Sequence, residues 1–265
     1  MDERFTPGVG AVFSADIAVP EHEREVRFYS RVLGTGDAPL WREDLMSNAG
    51  LPIIGLGERT AEFAHLPLHW MPHIQVEDVA ASVQRAVDLG GSVLMHDVGG
   101  DGASRWAVLR DPTGAAFGII PVVAAEAIPE EDAAASPDEA ASIGRIRWLD
   151  LTVANASSAR DFYRQVIGWS VEDVEMGEGE ARYPDFTMLG ADGTPVAGVC
   201  HARGVNVGLP PVWMIYLPVG DLAESVRRVE EGGGTVIKAM RGTQGEYVHA
   251  VIQDPVGACL ALTQA

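Results

Sequence analysis

Phe28-Tyr29-Ser30-Arg31-Val32-Leu33-Gly34 returns 134 residues later as Phe162-Tyr163-Arg164-Gln165-Val166-Ile167-Gly168. Trp70-Met71 returns as Trp213-Met214, Gly90-Gly91 as Gly233-Gly234 and Asp111-Pro112 as Asp254-Pro255, each 143 residues on. The order of these motifs is the same both times, so the chain reads as two copies of one domain. The second copy carries nine extra residues between Gly168 and Trp213, and the polar stretch Val174 to Gly193 is where they fit. Residues 123–143, rich in acidic residues, alanine and proline, cannot bury enough apolar surface to fold alone and read as a linker. The domains are placed at residues 8–122 and 144–265.

Within each copy the pattern is strand, helix and strands, stated twice. Ile146 to Val153 alternates with period two, as a half-buried strand does. Ala159, Phe162, Tyr163, Val166 and Ile167 share one helical stripe. Asp78 is placed as the N-cap of a helix through Val79, Val83, Ala86 and Val87 that Gly90-Gly91 ends; Asp221 and Gly232-Gly233-Gly234 take those parts in the second copy. The fold class is therefore α+β, with two βαβββ modules per copy.

The chain has 265 residues, 47% hydrophobic and 22% charged, which suits two globular domains and excludes wholesale disorder. No apolar run approaches the ~20 residues of a membrane helix, and Met1 to Gly10 holds no apolar signal core. Cys200 and Cys259 are too few for a disulfide scaffold. A cytoplasmic protein, monomeric or homodimeric, with no membrane partner is expected. Nineteen basic residues against 38 acidic ones give a net charge of −19, which argues against a nucleic-acid partner. Such a surface attracts cationic ligands, or serves solubility alone.

Phe-Tyr-x-x-Val-Leu-Gly after the first strand, Val-Glu-Asp-Val before the second helix, Gly-Gly after it and Asp-Pro-x-Gly before the last strand together resemble the vicinal oxygen chelate superfamily. That superfamily holds the glyoxalase, bleomycin-resistance and extradiol dioxygenase folds, and this chain is similar to its tandem two-domain actinobacterial members. The resemblance implies a cupped mixed sheet in each domain and, in metal-dependent relatives, four strand positions that hold a divalent ion with His and Glu. Counted from the motifs, those positions fall on Ser14, Met71 and Gly118 in the first copy and on Trp148, Met214 and Ala261 in the second. The remaining position lies within Leu51 to Gly57 and Thr194 to Cys200, where no imidazole or carboxylate occurs before Glu58 and His201. No metal and no cofactor is expected, because these side chains cannot form such a site.

Strand alternation sorts the faces. The aliphatic sets Phe13, Ala15, Ile17, Val19 and Leu149, Leu151, Val153 belong under the helices. The first cup then receives Ser14, Asp16, Met71, His73, Gln75, Trp106 and Arg110, and the second Trp148, Asp150, Thr152, Met214, Tyr216, His249 and Gln253, with Cys259 beside them. Asp16 and Asp150 stand at equivalent places in otherwise apolar strands, and each needs a hydrogen-bonding partner. They read as general bases with His73 or His249 as acid–base partners, as counter-ions for a cationic ligand, or as structural carboxylates. Trp106 and Trp148 read as stacking surfaces or as plugs of an unused cup, and Trp70 and Trp213 as core. Cys200-His201 suggests nucleophile chemistry, but adjacent side chains on a strand point apart. The expected role is metal-independent binding of a small organic molecule of cationic or aromatic character, resembling antibiotic-sequestering relatives. The other reading is a metal-independent lyase, isomerase or hydrolase with an Asp–His pair.

Overall fold

In the computed structural model, residues 5–34, 53–128, 145–177 and 181–265 are described, together with the backbone of 41–42 and 45–46. The first copy runs β1 (Val12–Val19), α1 (His22–Val32), β2 (Trp41–Arg42), β3 (Leu45–Met46), β4 (Ile53–Glu58), β5 (Met71–Val76), α2 (Val79–Asp88), β6 (Ser92–Val98), β7 (Ser104–Arg110) and β8 (Ala116–Pro121). The second runs β9 (Trp148–Val153), α3 (Ala156–Ile167), β10 (Ser170–Met176), β11 (Tyr183–Leu189), β12 (Pro195–His201), β13 (Trp213–Val219), α4 (Leu222–Glu231), β14 (Thr235–Arg241), β15 (Tyr247–Gln253) and β16 (Cys259–Gln264). Most of the acidic linker lies outside the described residues. Each copy supplies one eight-stranded sheet, ordered β2-β3-β4-β1-β5-β8-β7-β6 and β10-β11-β12-β9-β13-β16-β15-β14.

The local signals act as read. Asp78 accepts a hydrogen bond from the Ala81 amide and Asp221 one from Glu224, each capping its helix. Gly168 closes α3 in the left-handed region at φ 95°, which a residue with a Cβ adopts only at a cost. All five stripe residues of α3 are buried.

The described residues cluster into two compact units that do not follow the two copies. One combines Met1–Phe13, Met71–Ile128 and Trp148–Trp213; the other combines Ser14–Trp70, Pro129–Arg147 and Met214–Ala265. We call them unit 1 and unit 2. Unit 1 thus pairs the second module of the first copy with the first module of the second copy, and packs α2 against α3. Unit 2 pairs the other two modules and packs α1 against α4.

The repeated motifs explain this exchange. In unit 1 the Trp213 indole N–H donates to the Tyr163 hydroxyl at 2.9 Å, and that hydroxyl donates to Asp111 Oδ2 at 3.0 Å. In unit 2 Trp70 donates to Tyr29 at 3.3 Å, and Tyr29 donates to Asp254 Oδ2 at 2.7 Å. Each relay takes Trp and Tyr from one copy and Asp from the other. The glycines follow suit: a Cβ on Gly91 would press on the Phe162 ring at 3.2 Å, and one on Gly232 would meet Phe28 at 2.7 Å. Burial, and after it the nearby aspartate, hold both tyrosine hydroxyls protonated well beyond the usual range, so they act as donors.

Candidate functional site

On β9, Trp148 and Asp150 lie on the face opposite Leu149 and Leu151, which are fully buried. The Trp148 indole N–H donates to Asp150 Oδ1 at 2.8 Å. Strand β12 runs parallel to β9 with Gly198 opposite Asp150 and Cys200 opposite Thr152. A side chain at Gly198 would collide with the Asp150 carboxylate, so that carboxylate occupies the space over the neighbouring strand. Thr152 is buried and both Trp148 and Asp150 are half-buried. The partner that a carboxylate in such a strand requires is here an indole on the same strand.

Burial, then the charges of Asp150 and Asp185, push the Cys200 thiol far above the ordinary range and favour its protonated form over the thiolate that a nucleophile needs. Its neighbour His201 has a different partner. Asp185 Oδ1 accepts from the His201 backbone N–H at 2.7 Å and bonds its ring Nδ1 at 3.0 Å. Asp185 is 3% exposed and its Oδ2 has no hydrogen-bond partner. The rings of Tyr183 and Phe186 flank His201, and Arg203 lies over Tyr183. Sequence reading missed Asp185; a lone Asp among the aromatics of β11 is its only trace.

Also in unit 1, His73 on β5 pairs with Gly118 on β8, and its ring fills the space that a side chain at position 118 would need. Met71 is buried, Trp106 is half-exposed, and Arg110 is half-buried. Gln75 is fully buried; its Oε1 accepts from the Val123 amide at 2.7 Å and its amide nitrogen has no partner.

Unit 2 holds the remaining expected residues. Ser14 donates to Asp16 Oδ2 at 3.3 Å, and Asp16 sits opposite Gly55 of β4. Tyr216 pairs with Ala261, and its ring stands edge-on to His249 at 5.9 Å. Burial, and next Lys238, lower the His249 pKa, favouring the neutral imidazole. Met214 is buried, and Gln253 donates to the Gly257 carbonyl at 3.0 Å. Cys259 is buried, and burial with the Asp254 charge pushes its thiol up to about 11. Both expected Asp–His pairs therefore draw on two units: Asp16 and His249 belong to unit 2, His73 and Asp150 to unit 1.

The divalent ion of metal-dependent relatives does not fit these residues. Ser14, Met71, Gly118, Trp148, Met214 and Ala261 offer no imidazole or carboxylate, and the His73 ring and the Asp150 carboxylate take up the space over Gly118 and Gly198. Among the described residues no three His, Cys, Asp or Glu are grouped to hold a metal, and no helix is long and apolar enough to cross a membrane. Two open clefts, one lined by Glu21, His22, Glu23, Arg24 and Glu58 and one by Arg160, Arg164, Ser170, Val171 and Asp173, include none of the expected cup residues.

Over 98% of its length the chain is 25% identical to the anthracycline biosynthesis protein DauV of Streptomyces sp. (strain C5), covering 94% of that protein. It is 26% identical to the anthracycline biosynthesis protein DnrV of Streptomyces peucetius, with the same coverage. An extradiol ring-cleaving dioxygenase from B. fuscum superposes with a TM-score of 0.59 at 11% identity, over 98% of this chain and 72% of the dioxygenase, a likeness of fold. The glyoxalase-like domain family matches residues 13–120 and 148–263, one match in each copy, and the chain belongs to that family.

Proposed function

We propose that the chain binds a small planar organic molecule, without a metal ion, against the Trp148–Asp150 face of its second copy. The observation that carries this is the Trp148 indole tied to Asp150 at 2.8 Å, on the strand position where metal-dependent relatives place a ligand. An indole fixed by its own hydrogen bond is an ordered stacking surface for an aromatic ligand. The full-length relatives named for anthracycline biosynthesis support a polycyclic aromatic ligand, since anthracyclines contain fused planar rings. The domains of this function are residues 8–122 and 144–265, joined by the acidic linker. The test is calorimetric titration with a neutral hydroxyanthraquinone, with and without EDTA. Trp148→Ala is expected to weaken binding about tenfold, a loss of roughly 1.4 kcal/mol, with EDTA indifferent. Binding that EDTA abolishes and a divalent ion restores, or that Trp148→Ala leaves unchanged, overturns the reading.

One observation favours the alternative of a metal-independent lyase, isomerase or hydrolase. The Asp185 bond to His201 Nδ1 leaves Nε2 to take up or deliver a proton. On that reading His201→Asn abolishes turnover while hydroxyanthraquinone binding persists.

A further inference from the structure

Helix α1 carries Glu25 on the same stripe as Phe28, Tyr29 and Val32. Its side chain is fully buried, and neither Oε1 nor Oε2 has a hydrogen-bond partner. Beside it lies Asp254, itself 3% exposed. Asp254 Oδ1 accepts from the amides of Val256 at 3.1 Å and Ala258 at 2.7 Å, and its Oδ2 accepts from Tyr29 at 2.7 Å. The Val256 and Ala258 amides and the Tyr29 hydroxyl are thus all directed at Asp254 and none at Glu25. Two bare carboxylates at such depth repel strongly, and the pair becomes tenable when one of them carries a proton.

We propose that Glu25 and Asp254 share one proton, Glu25 being the neutral acid that donates to Asp254, and that this makes unit 2 an acid-stabilised body. On ionisation the proton passes to water and leaves two charges in the core. The surroundings agree. Burial, then the charge of Asp254, push Glu25 up to about 8; Arg24 pulls the other way and Glu21 adds to the rise. Burial raises Asp254 as well, against the Tyr29 hydroxyl and the turn amides. The thiol of Cys259 senses Asp254 and stays protonated. On α4, which packs against α1, Arg228 donates to the Arg31 carbonyl at 2.9 Å and Glu231 pairs with Arg31, both at exposed positions. No arginine or lysine pairs with Glu25 or Asp254 among the described residues.

The sign follows from proton counts. In the unfolded chain Glu25 releases its proton near 4.5, whereas folded it keeps it to about 8. Between those values the folded state binds the extra proton, so stability falls as pH rises, and above about 8 the loss is complete. Below 4.5 both states hold the proton and nothing is lost.

The test compares the full chain with Glu25→Gln, whose amide donates to Asp254 at every pH, by calorimetry from pH 5 to pH 9 at fixed ionic strength. The wild-type Tm is expected to fall by at least ~4 °C relative to the variant between pH 5 and pH 8, then to run parallel to it. The infrared stretch of a neutral carboxyl present at pH 6 should vanish in Glu25→Gln. Glu25→Ala, which installs the residue found at the equivalent position 159, serves if the glutamine variant fails to fold. Parallel Tm curves across the whole range, or a neutral carboxyl signal that survives both substitutions, overturn the proposal.

Discussion

Unit 1 and unit 2 close on the same relay of Trp, Tyr and Asp, but they satisfy the aspartate differently. Asp111 Oδ1 accepts three donors: the Thr113 amide at 2.8 Å, the Thr113 hydroxyl at 2.7 Å and the Ala115 amide at 2.9 Å. Asp254 has Val256 where Asp111 has Thr113, so it lacks the hydroxyl. Where unit 1 has the buried Ala159, unit 2 has Glu25 at the equivalent position. One aspartate is over-supplied with donors, the other must share its pocket with a second acid. Duplicated geometry therefore does not imply duplicated electrostatics: the backbone fixes where the relay runs, while two side chains decide how much charge it tolerates.

The comparison breaks hardest at the indoles. Trp213→Ala and Trp70→Ala each empty a fully buried site and are expected to cost about 3–5 kcal/mol in urea denaturation, with no dependence on which unit is struck. Removing the hydroxyls should separate the units. Tyr163→Phe strands the Trp213 N–H and leaves the Oδ2 acceptor of Asp111 without its donor, for about 1–3 kcal/mol at any pH between 5 and 8. Tyr29→Phe starts from a similar cost, but Asp254 then faces Glu25 with one donor fewer, so its penalty should grow as pH rises across that range. Equal pH slopes for the two variants would remove the distinction. The smallest effect sharpens it: Val256→Thr offers Asp254 the hydroxyl that Asp111 already has, and should stabilise unit 2 by about 0.5–1 kcal/mol.

Much of the fold was legible because its signals are local. Caps at Asp78 and Asp221, the α3 stripe and the strand alternation each depend on residues within one element, and each takes its expected place. The motifs themselves were visible, but not their partners. Nothing in a linear sequence says that Tyr29 is bonded 225 residues away while Asp111, in its own copy, is bonded to Tyr163. Glu25 could have been flagged, since it interrupts the stripe that includes Phe28, Tyr29 and Val32 where the second copy has alanine. At the candidate site the face assignment of Trp148 and Asp150 came from alternation alone. Their mutual bond, and the Asp185–His201 pair, depend on side-chain rotation and strand register, which no periodicity encodes.

The exchange of partners also governs how the two copies can change over time. A substitution at Tyr163 or Phe162 is felt by Asp111 or Gly91, and one at Tyr29 or Phe28 by Asp254 or Gly232. At these positions neither copy can drift by itself, and the pair is inherited as one genetic unit. The expected cup positions also make contacts inside one copy: the His73 ring fills the space over Gly118, and Asp150 accepts from Trp148. There the copies have parted, with Tyr216 opposite Ala261 where the first has His73 opposite Gly118. Where contacts are traded, a change in one copy such as Glu25 alters the surroundings of the other copy's aspartate, whereas a change whose contacts stay inside one copy is felt there alone.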